Sequence, residues 1–160
     1  MKLFNLSLEQ SIADVNSKSE DRMIEYGKLV KEYDIIVPAK KPAEFKLSEN
    51  VFVWGITGKN KIILLYKIYK KASNLLKDVS FDIVTVQDEY YLALTGLILA
   101  KKFKIGLEIQ VHGFEKFQGI RKLIAKLVLA RADAVRTLSQ RLKNRLMQEF
   151  NVKEAKITVV

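Results

Sequence analysis

The chain has 160 residues, 49% of them hydrophobic, enough for one ordinary domain that buries roughly two-thirds of its unfolded surface, which excludes disordered and collagen-like classes. It contains no cysteine, which rules out disulfide scaffolds, thiolate zinc sites and cysteine nucleophiles and fits a reducing compartment. The formal charge of +10 calls for an anionic partner, and residues 101–150, with 12 basic and 4 acidic side chains, carry most of the excess.

Short β-branched or apolar runs alternate with longer amphipathic stretches, the pattern of βαβ units around a parallel sheet. Residues 3–8 read as a first strand and 20–33 as a helix, with Met23, Tyr26, Gly27 and Val30 at helical spacing and Ser19 marking its start. Residues 34–38 form a second strand stopped by Pro38, and a polar, hairpin-like connection over 39–50 leads to a third strand at 51–56. A helix over 61–77 places Ile62, Leu65, Tyr69, Ala72 and Leu76 inward, with Lys67, Lys70, Lys71 and Lys77 as a solvated face. Strands at 81–86, 107–111 and 134–138 then alternate with helices at 91–103, 120–131 and 140–150, and 157–160 reads as a seventh strand. The expected fold is α/β, a doubly wound, mostly parallel Rossmann-like sheet of order 3-2-1-4-5-6 plus the seventh strand, with helices on both faces. Ligands of such sheets sit beyond the carboxyl ends of the strands, which directs attention to the loops at 9–19, 87–90 and 112–119.

His112, the only histidine, ends the fifth strand before Gly113, where an imidazole can hydrogen-bond, exchange a proton or meet a phosphate; a solvated loop histidine is the plainer alternative. Gln87, Asp88 and Glu89 close the fourth strand. Asp88 either orients a sugar hydroxyl or caps the helix that begins near Tyr90, and capping is the favoured reading. Glu9, Gln10, Ser11, Asp14, Asn16 and Ser17 make the first loop polar, but it holds no glycine, so dinucleotide and Walker-type phosphate cradles are absent. Arg121, Lys122, Lys126 and Arg131 alternate with apolar residues in a basic amphipathic helix that suits anionic headgroups, or a solvated face over a buried one. No RNP aromatic pair, GXXG loop or recognition helix supports nucleic-acid binding. Serine-elbow and HExxH motifs are missing, as is any second histidine for a metal pair. Residues 1–8 lack the features of a signal peptide, and the near-apolar runs are too short to cross a bilayer, so a soluble, cytoplasmic protein is expected.

Residues 81–88 (FDIVTVQD), 108–113 (EIQVHG), 130–143 (ARADAVRTLSQRLK) and 156–160 (KITVV), in that order and spacing, resemble the N-terminal half of a family 4 glycosyltransferase of GT-B fold. The resemblance implies a retaining, metal-independent enzyme of two Rossmann-like domains, the N-terminal one binding the acceptor and the C-terminal one the nucleotide sugar. His112 then matches the strand-end histidine near the transferred sugar. Gln10, Ser11, Gln87, Asp88, Gly113 and Ser139 match the acceptor side, and Arg121, Lys122 and Lys126 would face a membrane at its inner surface. Two departures stand out: the first loop lacks the glycines usual beside the donor phosphates, and the chain stops at Val160, where a full-length member enters its interdomain linker. Residues 1–160 are thus expected to be a single Rossmann-like domain, inactive without a donor-binding domain. Its acceptor would be a glycan or lipid-linked sugar, and nucleotide sugar would be needed only in the complete enzyme. A non-catalytic membrane-docking or partner-binding subunit, or a polyanion binder, are the alternatives.

Overall fold

The computed structural model describes residues 1–13, 17–113 and 119–160, so Asp14 and Asn16 of the first loop and residues 114–118 after the fifth predicted strand lie outside the described residues. Among the described residues, eight strands and five α-helices form an α/β, Rossmann-like arrangement that is mostly parallel, with helices on both faces. The chain divides into two compact units, Met1–Val84 and Thr85–Val160.

In the first unit, β1 (Lys2–Leu6) pairs in parallel with β2 (Glu32–Pro38), and β2 pairs in parallel with β4 (Val51–Ile56). The neighbour order is β3-β4-β2-β1, the expected 3-2-1 with one strand added. That strand, β3 (Ala43–Ser48), lies in the stretch read as a connection and runs antiparallel to β4 at the sheet edge. It alternates over residues 43–47: Glu44 and Lys46 are exposed, while Phe45 and Leu47 pack on the core, before the register shifts at Ser48. Its charged residues masked a period-2 strand, and polar side chains suit an edge that must not recruit another chain.

The first helix also departs from expectation. α1 is Lys18–Gly27, and its N-cap is Ser17 rather than Ser19: Ser17 Oγ accepts from Glu20 N at 3.2 Å, the acidic residue three positions on. It ends well before Tyr33 because Asn50 Nδ2 donates to the carbonyls of Gly27 and Val30, both at 2.8 Å, which satisfies the helix end and releases the chain into β2. Tyr33, Ile35 and Val37 then join Ile12, Met23, Val51 and Val53 in a buried cluster on the α1 face.

The intervening residues of β2 turn to the opposite face, toward α2 (Lys61–Asp78), which is capped by Asn60 accepting from Ile63 N at 2.9 Å. The inward side of α2 is Ile68, Ala72, Ser73 and Leu76; Ile62, expected inside, is 80% exposed, because the buried stripe starts only at the third turn. On this face burial, and then the charge of Glu32, pushes the Asp34 carboxyl up to about 6 against the pull of the Trp54 indole N–H.

The second unit has the neighbour order β5-β6-β7-β8, the expected 4-5-6 and seventh strands, with β6 (Gly106–Val111), β7 (Ala134–Thr137) and β8 (Ile157–Val159) parallel. β5 (Ile83–Val86) begins in the first unit, and Thr85 ties its end to β6 by donating to Glu108 Oε2 and accepting from Gln110 Nε2, both at 2.8 Å. α3 (Tyr91–Phe103), α4 (Ile120–Arg131) and α5 (Gln140–Phe150) cover the strands. Asp133 fixes the entry to β7 by exchanging two 2.9 Å bonds with Leu107, its amide donating to the Leu107 carbonyl and its carboxylate accepting from the Leu107 amide.

Candidate functional site

The carboxyl ends of β5, β6 and β7 carry most of the candidate residues, and each belongs to the second unit. Beyond Val86, Gln87 and Asp88 are half-buried. Asp88 Oδ2 accepts from Leu92 N at 2.9 Å, so the favoured capping role is the one the structure displays, on the first turn of α3. Next to it lies a residue that sequence reasoning did not single out. Glu89 is 8% exposed, and burial, reinforced by the charge of Asp88, pushes its carboxyl up to about 7, while the Tyr90 hydroxyl, donating to it, pulls the other way. The Tyr90 phenol is itself raised to about 12, by burial and then by the charge of Glu89. The guanidinium of Arg121, at the start of α4, sits 5.8 Å over the Tyr90 ring. A carboxyl titrating near neutrality and placed at a strand end can take up or release a proton at working pH.

Because the protonated form of Glu89 is favoured in the folded chain, its contribution to stability is complete below the usual glutamate range and is lost as pH rises through about 7. Glu89→Gln mimics the protonated form. It is expected to match the parent at pH 4 and to be more stable by about 1–3 kcal/mol at pH 8. Chemical unfolding at the two pH values measures this, and an equal difference at both would refute the assignment.

His112 is exposed just beyond the buried Val111 that ends β6. A Cβ built on Gly113 meets no atom of the described residues within 4 Å. At Gly119 the backbone requires glycine: φ is +57 at the N-cap of α4. Ser139 caps α5, its Oγ accepting from Leu142 N at 3.3 Å. On α4, Lys122 and Lys126 are exposed beside Ile120, Leu123 and Leu127, which are 65%, 68% and 39% exposed; Arg121, directed at Tyr90, is half-buried.

Gln10 and Ser11 belong to the first unit, in a 3-10 turn over Gln10–Ala13. Gln10 is exposed, whereas Ser11 is absorbed in a local network: its Oγ donates to Glu9 Oε1 at 3.3 Å and lies 2.8 Å from Ser19 Oγ. Burial works upward on the Glu9 carboxyl, but the hydrogen bonds of Ser19 and Arg22 outweigh it and hold Glu9 below the usual range. Ser11 therefore orders its own loop, and Gln10 keeps its side chain in solvent. Among the described residues, no helix is long and apolar enough to cross a membrane.

Comparison with solved structures places the fold. The UDP-GlcNAc 2-epimerase of Methanocaldococcus jannaschii matches at TM-score 0.66 and 20% identity, covering 100% of this chain and 45% of that one. The Neisseria meningitidis UDP-GlcNAc 2-epimerase bound to UDP-GlcNAc matches at 0.68 and 14%, covering 99% and 45%. Anabaena HepE in complex with UDP matches at 0.64 and 15%, covering 100% and 43%. The chain thus spans less than half the length of these proteins, and at such identities the likeness is one of fold. A search of curated proteins finds no match. Residues 29–160, which include β2 through β8 and the strand-end residues Gln87, Asp88, Glu89, His112 and Ser139, match Glycosyltransferase Family 4, and the chain belongs to that family.

Proposed function

We propose that this chain is the acceptor-binding half of a retaining glycosyltransferase, working with a donor-binding domain that holds the nucleotide sugar. The observation that carries this reading is the family match over residues 29–160, on a fold that aligns with less than half of the nucleotide-sugar enzymes it resembles. A GT-B enzyme works in a cleft between two domains, so one domain supplies one wall. In this reading the exposed imidazole of His112 hydrogen-bonds the transferred sugar, and Gln87, Asp88 and Ser139 position acceptor hydroxyls. Glu89 is added to the acceptor side as a carboxyl able to exchange a proton near pH 7. The acceptor is a glycan or a lipid-linked sugar. The exposed Leu123 and Leu127 beside Lys122 and Lys126 favour the lipid-linked form, since that mixture lies well on anionic headgroups at the inner face of a membrane.

The test has two arms. Incubated with UDP- and GDP-sugars, the 160 residues alone are expected to release no nucleoside diphosphate above background, and measurable turnover would overturn the proposal. In flotation, the chain is expected to rise with vesicles containing phosphatidylglycerol and to be released as salt is added; failure to float at low salt removes the lipid-linked acceptor.

A further inference from the structure

The three lysines that read as a solvated face of α2 line a cavity. Lys67, Lys70, Lys71 and Asn74 recur at i, i+3, i+4 and i+7, so one face of the helix presents all four. They line an open hollow of 320 Å³ with Pro42, Thr57 and the end of β4, a size that admits a small molecule. Lys40 and Lys41, both exposed, directly precede Pro42. Lys67 and Lys71 are like charges at i,i+4, a spacing that destabilises a helix unless something compensates. Among the described residues, Lys67 and Lys70 form no ion pair, and Lys71 pairs with the exposed Glu44 at 3.6 Å and also acts on the Asp34 carboxyl through its charge.

We propose that this cavity binds a phosphate group. Three lysines lining one hollow can neutralise a dianion, and charge-assisted N–H···O bonds to phosphate are among the stronger polar contacts. Thr57 and Asn74 add a hydroxyl and an amide to the lining, while Pro42, Ile56 and the lysine stems leave room for an apolar body attached to the phosphate. Lys71 links the site to a reporter. A neighbouring hollow of 260 Å³ shares Pro42, Gly55, Ile56 and Lys71 and adds Trp54, and Lys71 Nζ rests 3.5 Å from the centroid of the Trp54 ring. A phosphate entering the cavity draws Lys71 off that ring. The inference concerns the first unit alone and stands whether or not the chain works as an acceptor half.

Trp54 is the only tryptophan, so intrinsic fluorescence reads this site directly. The 160-residue chain is titrated with inorganic phosphate and pyrophosphate at ionic strength held constant with potassium chloride, and separately with phosphatidic acid vesicles against phosphatidylcholine vesicles. A saturable emission change is expected. In Lys67→Gln/Lys70→Gln the half-saturation concentration should rise by about tenfold or more for each lysine removed. Both positions are exposed on the helix, and an unchanged circular dichroism melt confirms that the variant is folded. A response to the soluble phosphates assigns a free phosphorylated molecule, and a response to phosphatidic acid alone assigns a lipid headgroup. No response to either, an identical change with chloride alone, or a double variant that titrates like the parent overturns the site.

Discussion

On the proposed function, His112→Ala in an enzyme assembled with a donor-binding domain is expected to lower kcat by about a hundredfold or more while leaving the melting temperature of this chain unchanged. The two halves of that expectation have separate grounds. His112 is exposed at the end of β6, past a strand whose core contacts are made by Leu107, Ile109 and Val111, each no more than 1% exposed, so truncating it opens no cavity. The catalytic loss rests on the role proposed for this imidazole: a group that hydrogen-bonds the transferred sugar only as its bond breaks lowers kcat far more than it raises KM when it is removed. His112→Gln retains a hydrogen-bond donor and should recover part of the loss. Steady-state kinetics of the parent and both variants decide the matter, and equal kcat values in all three would remove His112 from the mechanism.

Gly27→Ala is expected to destabilise the chain by about 2–4 kcal/mol. A Cβ at Gly27 would fall 2.2 Å from Cγ2 of Val51, with Asn50 Oδ1 at 3.5 Å and Ser48 Oγ at 3.8 Å. Val51 is fully buried and cannot retreat, because it belongs to the cluster that joins α1 to β2 and β4. Moving α1 instead would stretch the two 2.8 Å bonds by which Asn50 holds the end of that helix. In a chain of this size each kcal/mol lowers the melting temperature by about 2–4 °C, so a fall of several degrees should appear in a thermal melt. Gly113→Ala, where the same atom meets no atom of the described residues within 4 Å, is the control and should melt with the parent. If both variants melt within a degree of the parent, the close packing of α1 on β4 is wrong.

The features legible in the sequence are those encoded by neighbours along the chain. Period-2 and period-3.6 patterns located seven of the eight strands and all five helices, and strand-end positions located Gln87, Asp88, His112 and Ser139. The capping of α3 by Asp88 was open to the same reading, since a carboxylate just ahead of an apolar helix has unbonded amides within reach. β3 escaped because its outward Glu44 and Lys46 resemble loop composition, although its inward Ala43, Phe45 and Leu47 keep the alternation. The end of α1 escaped for a different reason. Met23, Tyr26 and Val30 continue a helical spacing, and what stops the helix is Asn50, more than twenty residues away in sequence.

The same division runs through the chemistry. Residue type and local order decided that His112 stands at a strand end, that α4 carries lysines among leucines, and that no cysteine or glycine-rich cradle is available. Burial and convergence were settled by packing. Glu89 is driven up to about 7 because what covers its side chain comes from elsewhere in the chain. Lys67, Lys70 and Lys71 read identically whether they face water or a hollow. They line a cavity because β4 brings Thr57, and the β2–β3 connection brings Pro42, against one face of α2. Periodicity specifies which face of an element is apolar, whereas desolvation and the meeting of like charges depend on distances between residues far apart in sequence, which exist only once the chain is folded.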